Sequence, residues 1–270
     1  MIERHYDQAR EDERLAGAWG QLDLARTQEI LRRHLPPPPA AVLDIGGGPG
    51  VYSRWLAGEG YEAHLIDLVP KHVEQARAGG GIASASVGDA RSVARPDASA
   101  DAVLLLGPLY HLIAREDRLL ALREARRLLR PGAVLFAAAI SRFASLLDSV
   151  VRGFLDDPAF APILERDLRE GQHRNPTGNV DYFTTAFFHL PAELRAEIEE
   201  SGFSLLELVG VEGPAWLAGN FEQRWADPMS RERLLEAARC VENDVNLMVV
   251  SLHLLAAATV APASAGEVAS

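Results

Sequence analysis

The sequence predicts a doubly wound α/β fold, with helices on both faces of a parallel sheet. Short apolar runs alternate with amphipathic segments from residue 40 to residue 140. The run ADAVLLLG is apolar almost throughout, which is typical of a parallel strand covered on both faces. A glycine-rich turn follows the first apolar run, at the position where such folds bind ligands.

The elements of the first half follow one another in regular order. Residues 14–34 carry apolar side chains at helical spacing, and the prolines at 36–39 end this helix because proline removes a hydrogen-bond donor. Strands are predicted at AAVLDIG, EAHLIDL, ASASVGD and ADAVLLLG, with helices at YSRWLAGEG and HVEQARAGG. The segment REDRLLALREARRLLRPG predicts a helix that stops at Pro131 and Gly132, and the strand AVLFAAAIS follows.

Residues 141–190 interrupt this alternation and predict a cap over the strand ends. Two helices are expected at SRFASLLDSVVRGFL and PAFAPILERDLREG, followed by a loop at QHRNPTGNVDYFTTAFFHL. The pattern resumes with the helix PAELRAEIEESG and the strand SLLELVGVEG. A last helix at RERLLEAARCVEND and a strand at LMVVSLHLLAAA would close the sheet.

The composition favours a small-molecule partner. A net charge of -11 disfavours nucleic-acid binding, which needs clustered Lys and Arg. The run LMVVSLHLLAAATVA is broken by Ser251 and His253 and is too short for a membrane span of about 20 residues. The charged opening MIERHYDQAR predicts no secretory signal, and the single Cys240 excludes an internal disulfide, so a cytoplasmic location is expected. The oligomeric state stays open, with a homodimer among the options.

The turn after the first strand separates two ligand classes. A dinucleotide fingerprint needs glycines at its first, third and sixth positions, but counting from Gly46 the sixth position is Val51. The turn instead reads Asp44-x-Gly46-x-Gly48-x-Gly50. A carboxylate two residues before the first glycine suits a cation or hydroxyl groups better than a pyrophosphate.

The stretch VLDIGGGPGVYS resembles the first motif of the class I S-adenosylmethionine-dependent methyltransferases. In that family, an acid at the position of Asp67 accepts hydrogen bonds from the ribose, and a side chain at the position of Asp89, next to Ala90, meets the adenine edge. LLLGPLYHL, residues 104–112, resembles the segment that lies under the methionine portion of the cofactor. The resemblance implies S-adenosyl-L-methionine as cofactor and these binding residues: Asp44, Gly46, Gly47, Gly48, Gly50, Asp67, Leu68, Asp89, Ala90 and Leu106, with Tyr6 and Arg14 matched by residue type only.

The resemblance also implies a domain organisation. It predicts a Rossmann-like seven-stranded sheet, mostly parallel with an antiparallel last strand, plus an inserted helical cap. Residues 1–39 would form an N-terminal helical segment and 40–140 the cofactor-binding half. Residues 141–190 would be the cap, 191–260 the remainder of the sheet with a substrate-side loop, and 261–270 a disordered tail.

Three residues are candidates for catalysis. Tyr110 and His111 directly follow the fourth strand, where open α/β sheets bind ligands. His111 is the first candidate for a base, because an unperturbed imidazole titrates near neutral pH. The alternative is that His111 packs on the next helix. His189 is a further candidate, although its place before Pro191 also suits helix capping or packing.

Substrate contacts are predicted in and near the cap. Arg142 follows the fifth strand and would bind a substrate carboxylate or pair with a surface acid. Tyr182, Phe187 and Trp216 belong to aromatic clusters that form either an apolar lid or the core of the cap. The sequence has no HxxxH or CxxC spacing, so no metal site is predicted.

These patterns together predict a methyltransferase that acts on a small-molecule acceptor, such as a natural product or secondary metabolite. Two alternatives remain open at this point. One is a nicotinamide-dependent oxidoreductase, which Val51 and Asp44 disfavour. The other is a non-catalytic S-adenosylmethionine-binding protein, which the elaborate cap disfavours.

Overall fold

The computed structural model describes residues 17–260, which contain nine strands. The strands are β1 (Ala41–Ile45), β2 (Glu62–Asp67), β3 (Ser84–Val87), β4 (Ala100–Leu105), β5 (Leu129–Ser141), β6 (Gln172–His173), β7 (Ala186–His189), β8 (Phe203–Gly210) and β9 (His253–Val260). The helices are α1 (Ala18–His34), α2 (Val51–Gly58), α3 (Pro70–Gly79), α4 (Pro108–His111), α5 (Arg115–Leu128), α6 (Ala144–Arg152), α7 (Ala161–Glu170), α8 (Pro191–Glu200), α9 (Phe221–Ala226) and α10 (Pro228–Arg239).

The main sheet has the predicted topology. Seven strands lie in the order β3-β2-β1-β4-β5-β9-β8. The pairs from β3 to β5 are parallel, and β9 is antiparallel to both β5 and β8. The doubly wound prediction and its antiparallel last strand are therefore confirmed. The carboxyl ends of β1, β2 and β4 meet at one edge, because parallel neighbours point the same way.

Helices bury apolar side chains against both faces of this sheet. On one face, Ile30 and Leu31 of α1 and Leu56 of α2 pack on the strands. On the other face, Leu122 of α5 and Ile198 of α8 do the same. Helix α5 forms as expected from its charges, with acids in its first turn and arginines in its last turn, which complement the helix dipole.

The cap differs from the sequence-based prediction in one element. Its two helices are present as α6 and α7, but the expected loop at residues 172–190 contains the hairpin β6–β7. Strand β7 extends the main sheet, because Phe188 pairs with Ile140 and His189 with Ser141 of β5. Loop residues such as Asn175 and Gly178 concealed the short strand AFFH that follows them. The sheet consequently has nine strands rather than seven.

The last strand also begins later than predicted. Residues Met248–Val250 form a 3-10 turn, and β9 starts at His253 rather than at Leu247. Ser251, which interrupts the apolar run, donates its backbone amide to the carbonyl of Met248 at 3.1 Å, and its hydroxyl oxygen accepts a bond from the amide of Gly213 at 2.6 Å. None of the helices within residues 17–260 is long and apolar enough to cross a membrane.

Candidate active site

A cleft opens at the carboxyl ends of β1, β2 and β4. Its walls come from the turn after β1, the end of β2, the turn after β3 and the segment after β4. It is lined by Asp44, Gly46, Gly47, Gly48, Pro49, Val51, Tyr52, Asp67, Leu68, Val69, His72, Gly88, Asp89, Ala90, Leu106, Gly107, Pro108, Tyr110, His111 and Leu112. The cleft therefore joins the predicted cofactor residues to two of the three catalytic candidates.

Glycines let the backbone of the first turn approach neighbouring elements closely. Gly46 has a φ of +74°, and a Cβ there would lie 2.7 Å from the ring of Pro108. A Cβ on Gly47 would lie 2.6 Å from the Asp44 carboxylate. The turn thus needs glycine for both conformation and space. Gly50 is not among the residues lining the cleft and instead precedes α2 in a left-handed conformation.

Asp67 ends β2 with its carboxylate fixed at the edge of the cleft. One oxygen accepts the amide of Gly48 at 2.8 Å, and the other accepts the amide of Val69 at 2.8 Å. The Nδ1 atom of His72 lies 3.2 Å from the second oxygen. Because a carboxylate has about four lone-pair sites, Asp67 retains acceptor capacity for a ribose beyond these three contacts.

Asp44 lies deeper, at the end of β1, and is 1% exposed. Its Oδ2 accepts the hydroxyl of Ser53 at 2.6 Å, whereas its Oδ1 has no hydrogen-bond partner among the described residues. Burial raises the pKa of Asp44 to about 6, the bond from Ser53 opposes that rise, and the charge of Asp67 adds to it. A buried acceptor of this kind suits a cationic group of a ligand.

The far end of the cleft offers an apolar surface beside a polar edge. Leu68 lines the cleft and is 47% exposed, and Ala90 belongs to the same lining. Asp89 also lines the cleft, but its carboxylate is bonded by Arg91, which holds the pKa of Asp89 below its usual range. Its predicted contact with adenine stays a prediction.

Tyr110 and His111 form the wall after β4. They lie on α4, a single helical turn, and their rings are 4.7 Å apart between centroids. Phe183 of the cap stacks near His111 at 6.4 Å with planes inclined by 25°. The imidazole of His111 therefore lies in the wall of the cleft, next to a ring of the cap.

These residues fit S-adenosylmethionine. Asp67 can accept the ribose hydroxyls, and the backbone at Gly46 and Gly48 allows the cofactor to approach closely. Leu68 offers an apolar surface for the adenine ring. The unpartnered oxygen of Asp44 can meet a positive charge. Tyr6 and Arg14, predicted to hold the carboxylate of the cofactor, lie outside the described residues.

The placement of His189 argues against a role as a base. The residue is 0% exposed and is absent from the lining of the cleft. Its Nε2 lies 3.3 Å from Glu197 of α8, and its ring packs edge-on against Phe187 at 4.7 Å. Burial lowers the pKa of His189, which stabilises the neutral form. These contacts agree with the alternative prediction that His189 packs inside the protein.

Two predicted substrate contacts are likewise used inside the protein. Arg142 donates from Nε to the carbonyl of Phe188 at 2.8 Å and pairs with Glu193 at 2.7 Å. Phe187 lies under the guanidinium of Arg118, 3.7 Å from the ring centroid. Neither side chain lines the cleft, and their predicted contact with an acceptor stays a prediction. Arg142, which follows β5, contacts Glu193 of α8, and Phe187 of β7 contacts Arg118 of α5.

Tyr182 and Trp216 belong to separate apolar cores. Tyr182 packs with Phe154 and Phe160 in the cap and donates its hydroxyl to Asp157. Trp216 is 1% exposed, and its Nε1 donates to the carbonyl of Val250 at 2.9 Å. The packing agrees with the alternative that these aromatic residues form apolar cores, and their predicted contact with a substrate stays a prediction.

One group of possible metal ligands could not be predicted from the sequence. Ligand atoms of Asp23, Glu212 and His253 lie within 4.8 Å of one another. These residues are far apart in the chain, so no spacing motif could reveal them. Glu212 already accepts the ring Nδ1 of His253 at 2.5 Å and its backbone amide at 3.0 Å, which accounts for the buried carboxylate without an ion.

Known proteins resemble this chain over much of its length. The family model described as methyltransferase domain matches residues 43–137. The ubiquinone biosynthesis O-methyltransferase of Xanthomonas axonopodis pv. citri (strain 306) is 29% identical over 193 residues, which cover 70% of this chain and 72% of that protein. The protein of the same name from Xanthomonas oryzae pv. oryzae (strain PXO99A) is 30% identical over 183 residues, with coverage of 66% and 68%.

Solved structures share the architecture. An S-adenosylmethionine dependent methyltransferase from Mesorhizobium loti superposes with a TM-score of 0.59 at 20% identity, covering 88% of this chain and 99% of that one. Similarity at this identity establishes the common fold, including the mostly parallel sheet described above.

Proposed function

We propose an acceptor class and a base for this chain, which belongs to the class I S-adenosylmethionine-dependent methyltransferases. The enzyme transfers the methyl group to a hydroxyl of a small, partly apolar aromatic metabolite, and His111 takes the proton of that hydroxyl. S-adenosyl-L-methionine is the cofactor, so a nicotinamide oxidoreductase and a binding-only protein are no longer the alternatives to test.

The observation that carries this proposal is the position of His111 in the wall of the cofactor cleft. It shares the cleft with Asp44, Asp67 and the glycine turn. An acceptor that enters beside Phe183 would reach the methyl group with His111 alongside. Positioning of this kind supplies much of the rate enhancement in a displacement reaction.

The chemistry of the acceptor explains why a base is needed. The bound cofactor supplies a methyl group that is already activated as a sulfonium. A phenolic hydroxyl has a pKa near 10 and is a poor nucleophile while protonated. A neutral imidazole within hydrogen-bond reach of that hydroxyl can accept its proton during the displacement. Tyr110, beside His111, forms part of the surface on which the acceptor ring would lie.

Oxygen is the proposed acceptor atom because of the relatives. The proteins that match over about 70% of this chain are named O-methyltransferases of ubiquinone biosynthesis. An aromatic acceptor also suits the surroundings of the cleft mouth, where Tyr110, His111 and Phe183 present three rings. A natural product or secondary metabolite with a free phenol has these properties.

Methyl transfer to a simple catechol tests the proposal. The purified enzyme is incubated with S-adenosylmethionine and 3,4-dihydroxybenzoate, and S-adenosylhomocysteine and methylated product are followed by mass spectrometry. Matched reactions contain 3,4-dimethoxybenzoate, which lacks a free hydroxyl, or 3,4-diaminobenzoate, which offers nitrogen instead. We expect turnover with the catechol alone. Methylation of the diamine in preference to the catechol would refute oxygen as the acceptor atom.

A further inference from the structure

A buried arginine supports the wall of the cleft from behind. Arg118 of α5 is 2% exposed, and its Nη1 donates to the carbonyl oxygens of Leu112 and Ile113 at 3.0 and 2.8 Å. These two residues directly follow α4, which carries His111. Residues 112–114 have no regular secondary structure. The amide of Leu112 bonds to the carbonyl of Pro108 at 3.1 Å, and the carbonyl of Ala114 accepts the amide of Arg118 at 3.3 Å.

The guanidinium of Arg118 is itself held on two sides. Its Nε and Nη2 donate to the two carboxylate oxygens of Glu197 at 2.9 and 2.7 Å, an arrangement that a planar fork makes with good geometry. The ring of Phe187 lies across the guanidinium at 3.7 Å. Glu197 belongs to α8 and Phe187 to β7, so the residues that hold Arg118 come from beyond the cofactor half.

The carboxylate of Glu197 is ionised at neutral pH. Burial raises its pKa, but the hydrogen bonds from His189 and Arg118 outweigh burial and lower the pKa of Glu197 to about 2. The carboxylate therefore stays ionised wherever the enzyme would work. His189 belongs to the same cluster, because its Nε2 atom lies 3.3 Å from the carboxylate of Glu197.

We propose that Arg118 is a positioning residue that fixes the segment 108–113, and with it His111, against the cofactor cleft. Arg118 does not line the cleft and acts through the two carbonyls that it binds. Lysine at this position could not form the bidentate bond to Glu197 and both carbonyl bonds together, because it is a point charge on a flexible stem. The role of His111 in catalysis rests on the proposed function, whereas the fixing of segment 108–113 does not.

The test compares two double variants. Removing Arg118 alone would leave Glu197 buried and charged, which is strongly destabilising, so the first variant is Arg118→Met with Glu197→Gln. The control is Arg142→Met with Glu193→Gln. Arg142 is also buried, also pairs with a glutamate and lies 5.9 Å from the ring of Phe187, but its backbone acceptor is Phe188 rather than Leu112 or Ile113.

Two readouts are independent of any acceptor. Hydrogen–deuterium exchange of the peptide 107–114 should be about tenfold faster in the first variant and unchanged in the control, because local opening is no longer opposed by the two carbonyl bonds. The imidazole resonances of His111, assigned by comparison with His111→Gln, should shift in the first variant only. Equal exchange in both variants, whether fast or slow, would overturn the proposal.

A third variant and a kinetic readout complete the test. Arg118→Lys keeps the positive charge beside Glu197, so it covers the case in which the double variant does not fold, and it should show intermediate exchange. With a working acceptor, the double variant should lose about tenfold in kcat while S-adenosylhomocysteine affinity stays within twofold. Faster exchange without turnover of any phenol would contradict the proposed function and leave the role of Arg118 standing. Turnover of a phenol together with unchanged exchange would support the proposed function and contradict the role of Arg118.

Discussion

The cofactor half and the cap use similar side chains for different purposes. Between residues 41 and 112, polar groups such as Asp44 and Asp67 are directed at a cleft and keep acceptor capacity for a ligand. Between residues 142 and 190, Arg142 and His189 are paired with glutamates of α8. A charged residue at a strand end can thus serve a ligand or the fold, and its partners decide which.

The largest effect that separates the two regions should come from His111. We expect His111→Gln to lower kcat by at least about 100-fold, because a general base typically contributes a factor of 10² to 10⁴. Affinity for S-adenosylhomocysteine should stay within twofold. Steady-state turnover with 3,4-dihydroxybenzoate and titration calorimetry measure the two quantities. His189→Gln is the comparison, and a larger loss of kcat there than at His111 would reverse the assignment of the base.

The next largest effect should be at the ribose. Asp67→Ala should weaken S-adenosylhomocysteine binding by about 1–3 kcal/mol, since it removes charge-assisted hydrogen bonds to two hydroxyls. Calorimetry with the folded variant checks this value, and circular dichroism confirms the fold. Asp101→Ala, which removes an acid outside the cleft, provides a matched control. Unchanged affinity in Asp67→Ala would mean that the ribose lies elsewhere.

Asp44 should make cofactor binding depend on pH. The ammonium group of the bound cofactor favours an ionised carboxylate, so affinity should fall as pH decreases below about 6, by at most about tenfold per pH unit. In the unliganded protein, the stability of the fold changes with pH in the opposite direction to the affinity for the cofactor. The folded-state pKa is raised above 3.8, so the stabilisation from protonated Asp44 is present below 3.8 and lost as pH rises through 6.

Calorimetry with S-adenosylhomocysteine between pH 5 and pH 7.5 measures this dependence. Asp44→Asn is the control, because it keeps the shape of the side chain without its titration. The variant should bind more weakly at pH 7.5 and show a flatter profile. If the wild type and Asp44→Asn had parallel profiles, the pH dependence would not belong to Asp44.

The contrast between the regions also explains what sequence could predict. Asp44 and Asp67 lie at the ends of β1 and β2, and the glycine turn directly follows β1, so local patterns locate the cleft and most of its lining. The contacts that support the wall of the cleft are non-local, because Arg118 and Glu197 are 79 positions apart in the sequence. Aromatic composition could not distinguish a lid from a core, since Tyr182 and Trp216 suit both environments until their neighbours are known.

The smallest effect on binding should come from the cap and its surroundings. Trp216→Phe removes the bond from Nε1 to the Val250 carbonyl in a site that is 1% exposed, which should cost about 1–3 kcal/mol of stability. Because Trp216 packs with Leu22 and Phe221 away from the cleft, kcat and the KM for the acceptor should stay within twofold. Thermal unfolding and steady-state kinetics measure the two effects. A raised acceptor KM at unchanged stability would restore Trp216 to the substrate site and show that the region beyond the cofactor half closes over the acceptor.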